Sequence, residues 1–341
     1  MTIRKDFDNL LETLEPELAK AFQDSIKDLS NNVLLKEMIA AIEIGDYEAA
    51  FKAVNFDKTA FRPLLASIEQ AFETGGVTAA AAFPKRLFNG SGRTVYRFDV
   101  RNVRAEKWVK EHSGELITHI NETTRVNVRN AMFDGLTEGR NPRSIALDIA
   151  GRVNPKTHIR ENGLIGLNKP QERAVSNMRK DLLNLDKRYF TRTRRDKRLD
   201  PMVRRMFKSG GVDQSTITKI TARYSGSLLK LRGDTIARDS ALQALHRSEF
   251  EAIKQAEELG VIKTSGVKRI WDATENFKGG RTRDSHVDME GQTVGLNEAF
   301  TFPSGGKAMF PQDRSLGAPA EETINCRCKI KTVIDWLDDL S

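Results

Sequence analysis

The sequence predicts a mainly α chain with a small C-terminal α+β module, elongated and built from several modules. Three observations carry this. Upstream of residue 267, apolar side chains recur mostly at spacings of three and four, the repeat of a helix face. From Lys268 to Ile334 that periodicity gives way to short runs between Gly and Pro turns, and both cysteines of the protein fall there. The 341 residues also exceed the size at which one core usually stops growing, so two or three modules are expected. The boundaries read as 1–93, an N-terminal helical bundle; 94–266, a long-helix region with a basic segment at 187–208; and 267–341, the terminal module.

In order, Leu18, Phe22, Ile26 and Leu29 form the stripe of a first helix, with Pro16 suited to its opening turn. Asn31-Asn32 opens a second helix through LLKEMIAAIEI, closed by Gly45, and Asp46 caps the short YEAAFKAV segment. A longer helix from about Lys58 to Phe83 carries Phe61, Leu65, Ile68 and Phe72, with Gly75-Gly76 as a break or kink and Pro84 at its end. Asn89-Gly90-Ser91-Gly92 marks a hairpin or a linker. Helical spacing resumes from Val103 to about Leu136, then in SIALDIAGRV after Asn141-Pro142, and again from Lys169-Pro170. Between Asp213 and Leu259 two consecutive helices are expected, broken at Arg232-Gly233, with His246 at the surface or core edge of the second.

Composition narrows the function classes. With 39% hydrophobic and 30% charged residues and no apolar run of about eighteen, no membrane span and no membrane partner are expected. The N-terminal MTIRKDFDNLLETLEPEL is charged and lacks the apolar stretch of a secretory signal, which points to a cytoplasmic site of synthesis. Two cysteines make no disulfide framework; in a reducing compartment they read as thiols or metal ligands.

The net charge of +8 is local. Lys187 to Lys208 holds ten Lys/Arg (Lys187, Arg188, Arg192, Arg194, Arg195, Lys197, Arg198, Arg204, Arg205, Lys208) against two Asp, an excess equal to that of the whole chain. Residues 1–93 lean acidic, with eleven Lys/Arg against fourteen Asp/Glu. Cations interleaved with Tyr189 and Phe190 suit contact with DNA phosphates, sequence-independent because no helix-turn-helix or zinc-finger pattern accompanies them. The same run also suits a solvated face or an Arg-rich surface that docks on an acidic partner.

In the terminal stretch, an extended strand places Cys326, Cys328 and Ile330 on one face and Arg327, Lys329 and Lys331 on the other. A disulfide between cysteines two apart needs a bent backbone and is not expected. Two readings stay open: core thiols beside a hydrogen-bonded His286, or two legs of a structural zinc site with His286 as a third ligand and Asp284 or Asp288 as a fourth. No other cofactor is expected. Asp284, His286, Asp288 and Glu290 also form a carboxylate-rich run suited to metal-assisted phosphodiester hydrolysis, although Arg281 and Arg283 suit ion pairs that tie the same loop down.

The ordered set Trp271, Arg283, His286, Gly291, Pro303, Pro311 and Asn325-Cys326-Arg327-Cys328 resembles the signature of the Mu F-like minor head proteins of tailed bacteriophages. That pattern is an aromatic-led strand, T-R-x-x-H followed by a Gly, proline-bearing loops and a closing N-C-x-C. Upstream, Gly163-Leu164-Ile165-Gly166-Leu167 stands where the family has G-L-[IV]-x-L. Asp239-Ser240 stands where Thr-Glu is more usual after I-A-R, which leaves the role of Arg238 open. The resemblance implies a non-enzymatic virion protein, made in the host cytoplasm and held in a few copies inside the procapsid at the portal vertex. It would act in head morphogenesis, DNA packaging or genome ejection. The partners implied are the portal protein and packaged double-stranded DNA, with the major capsid or scaffolding protein as further contacts. The rival class is a metal-dependent nuclease using Asp284, His286 and Asp288.

Overall fold

The structure, a computed structural model, describes residues 4–84, 87–89, 92–273 and 282–335. Helices take 63% of the residues and strands 8%, so the chain is mainly α, with a small α+β module at the C-terminal end. The helices are α1 (Arg4–Asn31), α2 (Leu35–Glu43), α3 (Tyr47–Lys52), α4 (Arg62–Ala81), α5 (Val103–Thr137), α6 (Pro142–Ala150), α7 (Lys169–Leu183), α8 (Asp200–Ser209) and α9 (Gln214–Glu258). Two single turns, α10 (Asp284–Val287) and α11 (Ala320–Thr323), belong to the terminal module. The strands are β1 (Leu87–Asn89), β2 (Gly92–Thr94), β3 (Arg152–Val153), β4 (Arg160–Glu161), β5 (Val267–Asp272), β6 (Thr293–Gly295), β7 (Phe300–Thr301), β8 (Lys307–Ala308) and β9 (Lys329–Ile334). Asn89 pairs with Gly92 in a β1–β2 hairpin; Gly90 and Ser91 of the expected turn lie outside the described residues.

The chain gathers into two compact units, each assembled from separate segments. One takes Met1–Leu18, Leu65–Ser113 and Thr235–Ser341; the other takes Ala19–Leu64 and Gly114–Asp234.

In the first unit, Phe83 and Tyr96 join Ile253, Ala256, Val261, Ile262, Val267 and Leu296 in one apolar cluster. The Tyr96 hydroxyl donates to the Ala252 carbonyl at 2.8 Å, which satisfies the one polar atom the ring buries. β5 is the central strand of an antiparallel sheet in the order β6-β5-β9, with Trp271 opposite Ile330 and Lys268 opposite Val333. Its alternate residues Val267, Arg269 and Trp271 point inward. The buried Arg269 guanidinium donates to the carbonyls of Gly295, Glu298 and Met309, so one cation ties three loop positions to the central strand.

In the second unit, α2 packs on α3 and α6. The Gly163–Leu167 turn is pinned through its carbonyls: Ser225 donates to Gly163, Arg232 to Gly166 at 2.6 Å, and Asn127 to Leu167 at 2.7 Å. Gly163 has no room for a side chain, since an added Cβ would lie 2.5 Å from the Ile149 carbonyl oxygen. Asn168 and Gln171 then form a reciprocal capping box at the start of α7.

Several local expectations are corrected. α1 runs through Pro16 instead of opening there; only one amide hydrogen bond is given up, and Leu14 and Leu18 bury the face on either side. Asn31 ends α1 and accepts from the Arg160 amide, and α2 follows the uncapped Leu34. Gly75 and Gly76 do not break α4: a Cβ at either would meet Ser248 at 2.4 Å or the Phe98 ring at 2.2 Å, so these glycines admit close neighbours. α9 is one helix of 45 residues, not two, and at Gly233 it admits the Phe22 ring to 3.0 Å of where a Cβ would stand. His246 is fully buried, with Nδ1 3.1 Å from Gln312 Oε1 and the Phe7 and Phe310 rings beside it, and burial pushes its pKa down to about 4. Capping of α3 by Asp46 follows the sequence expectation, and Asn141 caps α6 through its side chain.

Candidate functional site

The terminal module converges on one buried point. Trp271 arrives on β5, and its backbone exchanges hydrogen bonds with the turn ahead of β6: its amide donates to the Gln292 carbonyl and its carbonyl accepts from Gly291, both at 2.9 Å. Gly291 has φ +76 with open space around it, so the backbone angle and not crowding favours glycine there. α10 turns His286 inward while Asp284 and Asp288 face solvent. Arg283 donates to the Ile324 carbonyl and so ties this turn to the segment that carries the cysteines. Asn325 takes φ +57, a conformation asparagine tolerates, and its amide donates to Asp239 Oδ1 at 2.9 Å. Cys326 and Cys328 lie in the extended run just before β9 and not within it, yet the expected alternation holds: both are buried and Arg327 is exposed.

His286 Nδ1 lies 3.3 Å from Cys328 Sγ and 3.5 Å from Cys326 Sγ, and the three donor atoms all fall within 4.8 Å of one another. His286 Nε2 is 3.0 Å from Glu322 Oε2, which also accepts from Ser285 Oγ at 2.8 Å. The Cys328 amide donates to Cys326 Sγ at 3.4 Å, and the Cys326 carbonyl accepts from Gln312 Nε2 at 2.7 Å. Trp271 stands edge-on to His286, Phe300 and Phe302; its buried indole N–H has no oxygen acceptor and lies beside the Cys328 sulfur. Both thiols are free.

The thiols titrate as a pair. Burial opposes ionisation of Cys326, but its contacts with the Cys328 thiol and the His286 imidazole outweigh it and hold its pKa below the ordinary thiol value. The hydrogen bond to Cys326 together with burial pushes Cys328 up. One negative charge is thus favoured on the two sulfurs and a second is resisted.

Among the described residues, the group that gathers at His286 is completed by Cys326 and Cys328, whereas Asp284 and Asp288 are exposed and not part of it. Arg281 lies outside the described residues. Glu322 is the residue that sequence reasoning missed; its one signal was an acidic side chain four positions before Cys326. Arg238, of open role, pairs with Glu15 at 3.2 Å.

The basic segment divides into two populations. Arg192 clasps Asp181 at 2.7 Å and Arg195 clasps Asp200 at 3.0 Å, with side chains 19% and 12% exposed. Arg195 also lies over the Tyr189 and Phe190 rings. Arg188 and Arg198 are exposed but pair locally with Asp186 and Asp196. Lys187, Arg194, Lys197, Arg204, Arg205 and Lys208 are exposed with no ion pair among the described residues; Arg204 rests on Phe190, 4.6 Å from the ring centre.

Comparison with known proteins adds little. No family model matches the chain, and no solved structure matches it. A stretch of 54 residues, 16% of this chain, is 35% identical to part of the uncharacterized protein YqbB of Bacillus subtilis (strain 168) and spans 17% of that protein. Among the described residues no helix is long and apolar enough to cross a membrane.

Proposed function

We propose that the chain is a non-enzymatic minor head protein of a tailed bacteriophage, of the Mu F-like kind, working inside the head near the portal vertex and in contact with packaged DNA. One observation carries the reading. Trp271, His286, Cys326 and Cys328, spread over 58 positions of sequence, meet in one buried cluster, and Arg283, Gly291 and Asn325 shape the turns that bring them there. A chance string of motif letters would not be expected to close on itself in this way.

The first unit then provides the module for protein contact, and the second provides an exposed cationic face for phosphates. The test is co-expression with the portal protein of a tailed bacteriophage that carries this chain. A portal ring that brings this chain along through size-exclusion chromatography is the expected result. Separate elution of the two at micromolar concentration would remove the portal from the account.

A further inference from the structure

We propose that His286 Nδ1, Cys326 Sγ and Cys328 Sγ bind a zinc ion, with Glu322 orienting the imidazole and water in the fourth position. This goes beyond the virion role and does not depend on it.

The geometry fits the ion. Zinc bonds to sulfur at about 2.3 Å and to nitrogen at about 2.0 Å, so tetrahedral angles separate a nitrogen and a sulfur ligand by about 3.5 Å. The two separations found are 3.3 and 3.5 Å. The tautomer fits as well. With its Nε2–H donated to Glu322, which Ser285 holds, the neutral imidazole presents its Nδ1 lone pair to the two sulfurs. A carboxylate on the far nitrogen of a ligating histidine is the usual outer partner of such a site. The sulfurs are served likewise: the Cys328 amide donates to Cys326, and the Trp271 indole N–H sits beside Cys328 with no oxygen to bond. N–H donors of this kind spread the charge of metal-bound thiolates. Core thiols alone would account for the burial. They leave unexplained why three donor atoms face one centre while the imidazole and the Cys326 sulfur are each braced by a further hydrogen bond.

Donor softness selects the metal class. Two thiolates and an imidazole favour zinc over magnesium or calcium, which take oxygen ligands. Among the described residues no other His, Cys, Asp or Glu joins the group, so a fourth protein ligand is not invoked.

The untagged full-length chain, purified under reducing conditions, should carry about one zinc per molecule by elemental analysis. After chelation, cobalt(II) should restore a tetrahedral visible spectrum with a sulfur-to-cobalt charge-transfer band, and magnesium should not compete. Cys326→Ser should lose that band. Glu322→Gln should keep it while weakening metal affinity roughly 10- to 100-fold, as expected for an orienting residue. The cobalt titration of the unmodified chain guards against variants that fail to fold. The proposal is overturned if reduced, folded, metal-free protein gives no charge-transfer band with cobalt, or if zinc persists undiminished in the folded Cys326→Ser/Cys328→Ser variant.

Discussion

The proposed DNA contact makes a quantitative demand on the basic segment, because its ten cations do not stand on equal footing. Replacing Lys187, Arg194, Lys197, Arg205 and Lys208 with Ser removes exposed charges that have no ion pair among the described residues. Each phosphate neutralised on duplex DNA contributes about 0.9 to the slope of log affinity against log salt, so five contacts give a slope of about −4.5. Between about 50 and 200 mM salt that slope lowers affinity roughly 500-fold. Fluorescence anisotropy with two unrelated duplexes, over a series of potassium chloride concentrations, reads the slope directly. The substituted chain should lose up to about 4.5 from it, equally for both duplexes. Arg192→Met behaves differently. It strands Asp181, whose side chain is 5% exposed, with only a distant Arg188 at 3.8 Å, and should destabilise the fold by about 3 kcal/mol in urea titration. A slope in the unmodified chain shallower than about −2, or one that the five substitutions leave unchanged, would refute the assignment of this face to DNA.

Two further outcomes follow from buried groups. Burial, resisted by a Thr332 hydrogen bond and the Arg269 charge, pushes the Glu249 carboxyl from its ordinary 4.5 up to about 7. The folded chain then keeps a proton that the unfolded chain releases, a contribution complete below about pH 4.5 and lost as pH rises through about 7. Glu249→Gln should therefore be more favourable to stability at pH 8 than at pH 4 by about 3 kcal/mol; equal effects at both pH values would contradict a neutral buried carboxyl. Gly76→Ala should destabilise by roughly 1 to 3 kcal/mol, because the Phe98 ring occupies the place of the new methyl, whereas Gly114→Ala, with nothing within 4 Å, should stabilise by up to about 1 kcal/mol. Thermal melts that show both substitutions stabilising would mean that Gly76 serves flexibility and not packing.

Much of the fold was legible because helix periodicity and local caps are local properties. The stripe of α1, the Asp46 cap and the single long α5 all come from residues within a few positions of one another. The errors share a cause. Gly75, Gly76 and Gly233 look like breaks in a one-dimensional string, yet each faces a side chain distant in sequence that needs the missing Cβ. Arg192 and Arg195 look like part of a free cationic run, and the carboxylates they clasp are identified only by the folded backbone. His246 carries no mark of burial, because its neighbours Phe7, Phe310 and Gln312 come from remote segments.

By itself the order of residues determined that this protein is helical for most of its length, that a turn-rich module closes it, and that Cys326 and Cys328 share a side. Those follow from side-chain period and turn chemistry, which act over a few residues. Tertiary structure alone decided that Nδ1 is the His286 atom nearest the two sulfurs, that Glu322 braces its far nitrogen, and which arginines remain exposed. Such choices depend on which surfaces can be brought together without stranding a buried charge or an unpaired polar atom, a condition that only the packed chain imposes.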